Sequence, residues 1–213
     1  MEPSPKTASF GLYLILTHPR AGYAACAEAA VKSGVRFLQL RMKELDAEQA
    51  KQTAKMVREI ARGTSTQLII NDDLELAMAV DADGIHLGQD DLSLLEAKNK
   101  WGVSSKIFGL STHSKEQALH AQEQGADYIG VGPVFSTPTK PEAGKGLGVE
   151  KTVQIVRSVK IPSVAIGGIS INTLPDLLIG GVSNFCVIRA VSQSLYPERE
   201  IRKLQKLWKM YAF

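Results

Sequence analysis

The sequence predicts a single (β/α)8 barrel, and three observations carry that prediction. Eight short apolar runs of strand length recur along the 213 residues, segments of helical periodicity lie between them, and the polar side chains suited to chemistry cluster after the runs. Runs that are apolar on both faces and alternate with helices imply parallel pairing. Parallel strands need crossover connections, which the helices supply. Eight such units in one small domain close most simply into a barrel. An open doubly wound sheet is the competing layout, but no Gly-x-Gly-x-x-Gly fingerprint follows the first run.

The runs, in order, are 11-GLYLILT-17, 35-VRFLQLR-41, 67-QLIIN-71, 84-GIHL-87, 107-IFGLS-111, 128-YIGVG-132, 162-PSVAIG-167 and 184-NFCVI-188. Among the helical segments, 46-DAEQAKQTAKMVREIARG-63 opens on an Asp46 cap. The segment 114-SKEQALHAQEQG-125 opens on Ser114 and Gln117 as a capping box. Gly34 and Gly125 stand where left-handed C-terminal caps are expected. The barrel is expected to span 11–213, after a loose polar tail at 1–10.

Composition narrows the function. An apolar fraction of 44%, a charged fraction of 22% and a net charge of +3 fit an ordinary soluble domain. No Lys/Arg run with interleaved aromatics marks a nucleic-acid surface. No apolar run approaches a membrane span, and the N-terminus lacks a hydrophobic signal region. The two cysteines, Cys26 and Cys186, are too few for a disulfide framework or zinc site and are expected to be buried thiols. The expected compartment is the cytoplasm, and the expected partners are small molecules; a homo-oligomer is compatible with the sequence.

A barrel places its active-site groups at the carboxyl ends of the strands. Those positions hold Gln39, Arg41 and Lys43 after the second run, Asn71 and Asp72 after the third, and His86, Gln89 and Asp91 after the fourth. Ser111 and His113 follow the fifth, Thr137, Thr139 and Lys140 the sixth, Gly167-Gly168 the seventh and Arg189 the eighth. Gln39, Arg41 and Lys43 alternate, so all three share one face. A guanidinium and an ammonium converging at a barrel mouth suit a polyanion such as diphosphate; the bland alternative is that they pair with neighbouring acids. Two carboxylates at adjacent strand ends suit Mg²⁺, which takes one or two carboxylates with water and phosphate oxygens. Helix capping is the alternative for Asp72, Asp73, Asp90 and Asp91, and spacing does not choose between Asp90 and Asp91. His86 and His113, taken singly, read as structural, and no serine–histidine–acid order suggests a hydrolase. Gly167-Gly168 fits either a tight turn or a backbone phosphate site. The loop 134-VFSTPTKPEAGKGLGVE-150 carries more threonine, lysine and glycine than a turn requires, which points to anion binding.

Taken together, 39-QLRMK-43, 69-IINDDLELAMAVDADGIHLGQDDL-92, 109-GLSTHS-114, 126-ADYIGVGPVFSTPTK-140 and 164-VAIGGI-169 resemble the thiamin phosphate synthase family, in order and across about Leu12 to Ser192. The resemblance implies a barrel enzyme, a transferase. It joins 4-amino-5-hydroxymethyl-2-methylpyrimidine diphosphate to 4-methyl-5-(2-hydroxyethyl)thiazole phosphate with Mg²⁺, releasing diphosphate. It implies that Gln39 meets the pyrimidine, that Arg41, Lys43, Asn71 and Lys140 contact the diphosphate, and that Asp72 and Asp91 hold the metal. Ser111 would lie by the reacting pyrimidine. Thr137, Thr139 and the backbone at Gly168 and Ile188 would face the thiazole phosphate, and the loop from Ser136 to Gly148 would be a mobile flap. Lys140, Ser111 and Arg41 are the residues expected to carry the chemistry.

Three positions depart from the family pattern. Met42 stands where an acid is common, His18 where the first strand often ends in aspartate, and Arg189 where serine usually follows the eighth strand. Arg189 is expected to bind the thiazole phosphate; a solvent-facing arginine is the alternative. Two other functions compete: a thiazole tautomerase relative, which would recruit His113 as acid/base, and a non-catalytic barrel that binds thiamin phosphates. The intact metal–diphosphate set favours the synthase over both.

Overall fold

Eight parallel strands pair in sequence order, and β8 returns to β1 to close the barrel. The structure is a computed structural model and describes residues 9–137 and 146–211. The strands are β1 (Leu12–Leu16), β2 (Phe37–Leu40), β3 (Gln67–Asn71), β4 (Gly84–Leu87), β5 (Ile107–Thr112), β6 (Tyr128–Val131), β7 (Ser163–Ala165) and β8 (Asn184–Val187). Seven lie inside their predicted runs, and β5 extends one residue past its run, to Thr112. The helices are α1 (Tyr23–Lys32), α2 (Ala47–Ala61), α3 (Leu74–Ala79), α4 (Leu94–Trp101), α5 (Lys115–Glu123), α6 (Gly148–Arg157), α7 (Leu174–Ile179), α8 (Arg189–Ser192) and α9 (Pro197–Tyr211).

The period-two alternation of the strands sorts their side chains into two cores. Outward residues such as Leu14, Leu38, Leu68, Ile85 and Ile129 are buried under the helices. Inward residues form a smaller cluster of Tyr13, Ile15, Phe37, Ile69, Tyr128, Val164 and Cys186. Aromatic rings fit inside so narrow a barrel because glycines face them. A Cβ on Gly109 would lie 2.2 Å from the Tyr128 ring and 2.5 Å from His86 Nδ1, so an alanine there has no room.

One end of the barrel is plugged. Phe10, which the sequence reading assigned to the loose tail, packs its ring edge-on against Phe37 at 4.7 Å and donates its amide to Asn184 Oδ1 at 2.8 Å. Trp208 of α9 lies over Gly11, whose φ of 73° and missing Cβ admit the indole, and its Nε1 donates to the Ser183 carbonyl at 2.9 Å. Helix α9 is amphipathic, with Ile201 and Leu204 on its buried face. The opposite, carboxyl end is open, and it holds the polar residues.

The caps explain where helices begin. Asp46 and Gln49 form the capping box expected at α2. At α5, Ser114 accepts from Gln117 N at 3.2 Å, but the Gln117 side chain reaches past it to the His113 amide at 2.7 Å, so the expected box is only half made. Gly34 and Gly125 have φ of 67° and 77°, as left-handed caps require. Cys26 and Cys186 are buried, free thiols. No described helix is long and apolar enough to cross a membrane.

Candidate active site

The open end surrounds a cavity of about 950 Å³. Its lining includes Gln39, Arg41, Lys43, Asn71, Asp72, Asp91, Ser111, Thr137, Gly168, Ile188 and Arg189, so every expected site residue that the structure describes is brought together there. Thr139, Lys140 and Gly144 lie outside the described residues. A second groove, of about 790 Å³, runs along the outer wall between α1 and α9 past Lys32, Glu198 and Arg202. It holds no strand-end group, and barrel chemistry belongs at the carboxyl ends.

At the bottom of the cavity sits Gln39, projected inward from β2. It is 1% exposed, and neither its amide nitrogen nor its amide oxygen has a hydrogen-bond partner among the described residues. An unmade bond of this kind costs about 1–3 kcal/mol per buried group. A side chain offering one donor and one acceptor in a plane, left unpaired at the base of a cavity, fits a ligand presenting the complementary pair.

Above Gln39 the strand exits supply charge. Asn71-Asp72-Asp73 divides its two acids between two tasks. Asp73 caps α3 by accepting from Leu76 N at 2.8 Å, whereas Asp72 takes a left-handed φ of 62° and faces the cavity. That conformation is strained for a residue with a Cβ, and such strain collects at functional sites. Asp91 closes the β4 exit loop by accepting from Gly88 N at 2.7 Å. Neither Asp90 nor Asp91 caps α4: Ser93 and Glu96 form the capping box there, two residues later than the sequence suggested. Burial, and next the neighbouring Asp91, hold the Asp72 carboxyl above its ordinary range, while Lys43 opposes the shift from 3.1 Å. Lys43 thus has an acidic partner, as the bland reading expected. Arg41 has none among the described residues.

Two carboxylates crowded until one resists ionising are a fitting place for a divalent cation. Among the described residues no cluster of three or more His, Cys, Asp or Glu side chains is placed to hold a metal. The pair suits Mg²⁺ with oxygens from water and a phosphorylated ligand, and not a metal that needs a full protein cage.

The far side of the cavity is backbone. Val134 and Phe135 donate to the carbonyls of Ile166 and Gly167 at 2.8 and 3.0 Å, while Leu147 and Gly148 return to those of Pro133 and Val134 at 2.7 and 2.9 Å. Both legs of the loop after β6 are therefore tied to each other and to the exit of β7. A Cβ on Gly168 would lie 2.7 Å from that of Phe135, so the turn reading of the glycine pair is correct as far as it goes. The amides of Gly168, Ile169, Arg189 and Ala190 donate to nothing among the described residues and are left available to an anion.

The departures have local accounts. Met42 packs against the main core, and the acid of this stretch is Glu44, which accepts from Tyr23 Oη at 2.6 Å and from the His18 amide at 3.2 Å. Arg189 opens α8, is exposed, and lines both the cavity and a shallower annex of about 370 Å³ beside Thr17, Arg41 and Lys43. Its guanidinium makes no hydrogen bond or ion pair among the described residues.

His86 is not the isolated structural histidine that its sequence context suggests. His86 bonds Ser111 Oγ through Nε2 at 2.9 Å and Tyr128 Oη through Nδ1 at 3.0 Å. The signal was present in the alternation, since Gly84 and His86, Gly109 and Ser111, and Tyr128 and Gly130 occupy the inward face of three adjacent strands.

Fold and site together define a (β/α)8 barrel whose open mouth gathers basic side chains, a pair of carboxylates and free backbone amides. A family model described as thiamine monophosphate synthase matches residues 12–191. A thiamine-phosphate synthase of Syntrophomonas wolfei is 44% identical over 179 residues, which cover 84% of this chain and 85% of that protein. Another from Halalkalibacterium halodurans is 40% identical over 185 residues, covering 85% and 87%. Among solved structures, a thiamine phosphate pyrophosphorylase from Pyrococcus furiosus superposes with a TM-score of 0.87 at 32% identity, covering 96% of this chain and 98% of its own. The chain belongs to the thiamine monophosphate synthase family.

Proposed function

We infer that this chain is a thiamin phosphate synthase. It joins the aminopyrimidine methyl diphosphate to the thiazole phosphate and releases diphosphate. The observation that carries the reading is the buried, unpaired amide of Gln39 beneath a mouth built from Arg41, Lys43, Asp72 and Asp91. Gln39 reads the edge of the pyrimidine, and its unmet donor and acceptor become the specificity for that ring. Arg41, Lys43 and Asn71 grip the diphosphate, and Asp72 and Asp91 hold Mg²⁺. Ser111 lies beside the reacting pyrimidine. Thr137 and the free amides at Gly168 and the start of α8 receive the thiazole phosphate, with Ile188 beside them.

The residues need to supply neither nucleophile nor general base, because the thiazole nitrogen attacks. The demanding event is departure of diphosphate from the pyrimidine methylene. When bound, Mg²⁺ neutralises charge gathering on that leaving group. Arg41 and Lys43 add positive charge at the same leaving group, and Lys140, outside the described residues, is assigned to it as well, with Thr137 and Thr139 assigned to the thiazole phosphate. The electron-rich aminopyrimidine carries the positive character left on the methylene, so the cavity must exclude water until the thiazole arrives. The buried, free thiols of Cys26 and Cys186 suit a cytoplasmic enzyme.

Incubating the purified protein with both substrates and Mg²⁺ should yield thiamin phosphate by mass, with none formed when either substrate is left out. Consumption of the thiazole phosphate alone, to an isomer, would instead establish the tautomerase. Binding without turnover would establish the non-catalytic barrel.

Arg189 is assigned to the thiazole phosphate, because an unpaired guanidinium beside four free amides is a two-pronged phosphate ligand. Arg189→Ser should raise the KM for the thiazole phosphate several-fold and make it less salt-sensitive, with the KM for the pyrimidine diphosphate unchanged. An unchanged thiazole KM would return Arg189 to the solvent-facing reading, and a lower one would mean that it obstructs the pocket.

A further inference from the structure

The inner barrel carries a hydrogen-bonded chain that the mechanism above does not use. Tyr13 Oη lies 2.8 Å from Tyr128 Oη, Tyr128 Oη 3.0 Å from His86 Nδ1, and His86 Nε2 2.9 Å from Ser111 Oγ. It runs from the plugged half of the barrel to the floor of the cavity. It spans four strands and passes beside Gly109, which leaves both rings their space.

The direction of every bond in this chain follows from its buried end. Tyr13 is 2% exposed, and among the described residues Tyr128 Oη is its one side-chain hydrogen-bond partner. A buried hydroxyl proton must find an acceptor, so Tyr13 donates to Tyr128. Burial raises the pKa of both phenols well above the ordinary value, so both keep their protons. The Tyr128 proton is then left with His86 Nδ1 as its acceptor. A neutral imidazole with Nδ1 accepting carries its proton on Nε2, and that N–H points at Ser111 Oγ. Ser111 therefore receives a bond from His86, and its own hydroxyl proton is turned away, into the cavity.

We propose that the Tyr13–Tyr128–His86 chain is a positioning device that locks His86 as the Nε2–H tautomer and thereby sets Ser111 to donate a hydrogen bond to the substrate. The polarity is opposite to that of a serine nucleophile, in which the histidine accepts the serine proton. It suits a reaction whose difficulty lies in a departing anion, which needs a donor and not a base. His86 acts through Ser111 and is not a catalytic residue. That Ser111 meets the substrate rests on the synthase reading; the tautomer does not.

The two parts are tested separately. In nitrogen-15 spectra of the ligand-free wild type, with His86 assigned by through-space contacts of its ring to Tyr128, Nε2 should resonate as a protonated, pyrrole-type nitrogen and Nδ1 as an unprotonated, pyridine-type one. A protonated Nδ1 beside a bare Nε2 would overturn the proposal, whether or not any variant folds. In turnover, His86→Leu should lower kcat about tenfold, the loss expected when one positioned hydrogen bond is released, with both KM values held. His86→Gln sets an amide N–H near the place of Nε2 and should restore most of that loss. A glutamine variant as slow as the leucine variant, at equal melting temperature, would overturn the proposal. If the wild type formed no thiamin phosphate, the synthase reading would fall, and the nitrogen spectrum would still decide the tautomer.

Discussion

Gln39→Leu is expected to make the ligand-free protein more stable and the enzyme nearly inactive. The wild-type amide is buried with both polar ends unpaired. Leucine occupies a similar volume without unmet bonds, so removing the amide should stabilise the fold by about 1–2 kcal/mol, or roughly 2–8 °C in Tm for a domain of this size. The same change leaves the pyrimidine facing an apolar wall, with its own donor and acceptor desolvated and unpaired. Sites built around such a pair discriminate by factors of about 10³ or more, and kcat/KM should fall on that scale. Thermal melting and steady-state kinetics on one preparation measure both halves. A destabilised variant with intact kcat/KM would mean that Gln39 is a packing residue.

Asp91→Asn is expected to fold normally and fail at limiting Mg²⁺. The asparagine oxygen can still accept from Gly88 N, so the β4 exit loop stays closed, while the charge beside Asp72 is gone. Turnover at limiting Mg²⁺ should drop about 10²-fold, with partial recovery at high Mg²⁺. The pH dependence of stability offers a second reading of the same pair. Burial and Asp91 raise the Asp72 carboxyl in the folded state. A raised carboxyl binds its proton more tightly folded than unfolded. Its contribution to stability is therefore full below the unfolded value of about 4, and it is lost as pH rises through the folded value. Mg²⁺ should accordingly raise the wild-type Tm above that window and leave it unmoved below, and the rise should be smaller in Asp91→Asn. Equal turnover of variant and wild type at limiting Mg²⁺ would remove Asp91 from the metal site.

The parts of this molecule that were legible in the sequence are those set by local pattern. Strands apolar on both faces announce a buried parallel sheet, and all eight were located because nothing else in a 213-residue chain produces that rhythm. The site followed from the barrel, since carboxyl-end residues of different strands must converge wherever the strands close. What stayed hidden depends on the inner face of the barrel. Whether Asp72 or Asp73 caps α3 is decided by one left-handed φ at Asp72, which no spacing rule reveals. Ser93 starts α4 where two earlier aspartates competed for the role. His86 looked like an isolated histidine because its partners, Ser111 and Tyr128, come from β5 and β6 and meet it only across the closed sheet. The orphaned amide of Gln39 is likewise invisible until the cavity beneath the mouth exists.

The measurement that bears most directly on the account is diphosphate release from the pyrimidine substrate, followed continuously with Mg²⁺ present and the thiazole phosphate added or withheld. The account predicts release that is slow or absent without the thiazole, rapid when it is added, stoichiometric with thiamin phosphate, and abolished by chelating the metal. Diphosphate release at the same rate with and without the thiazole phosphate would describe a hydrolase at this cavity and contradict the account.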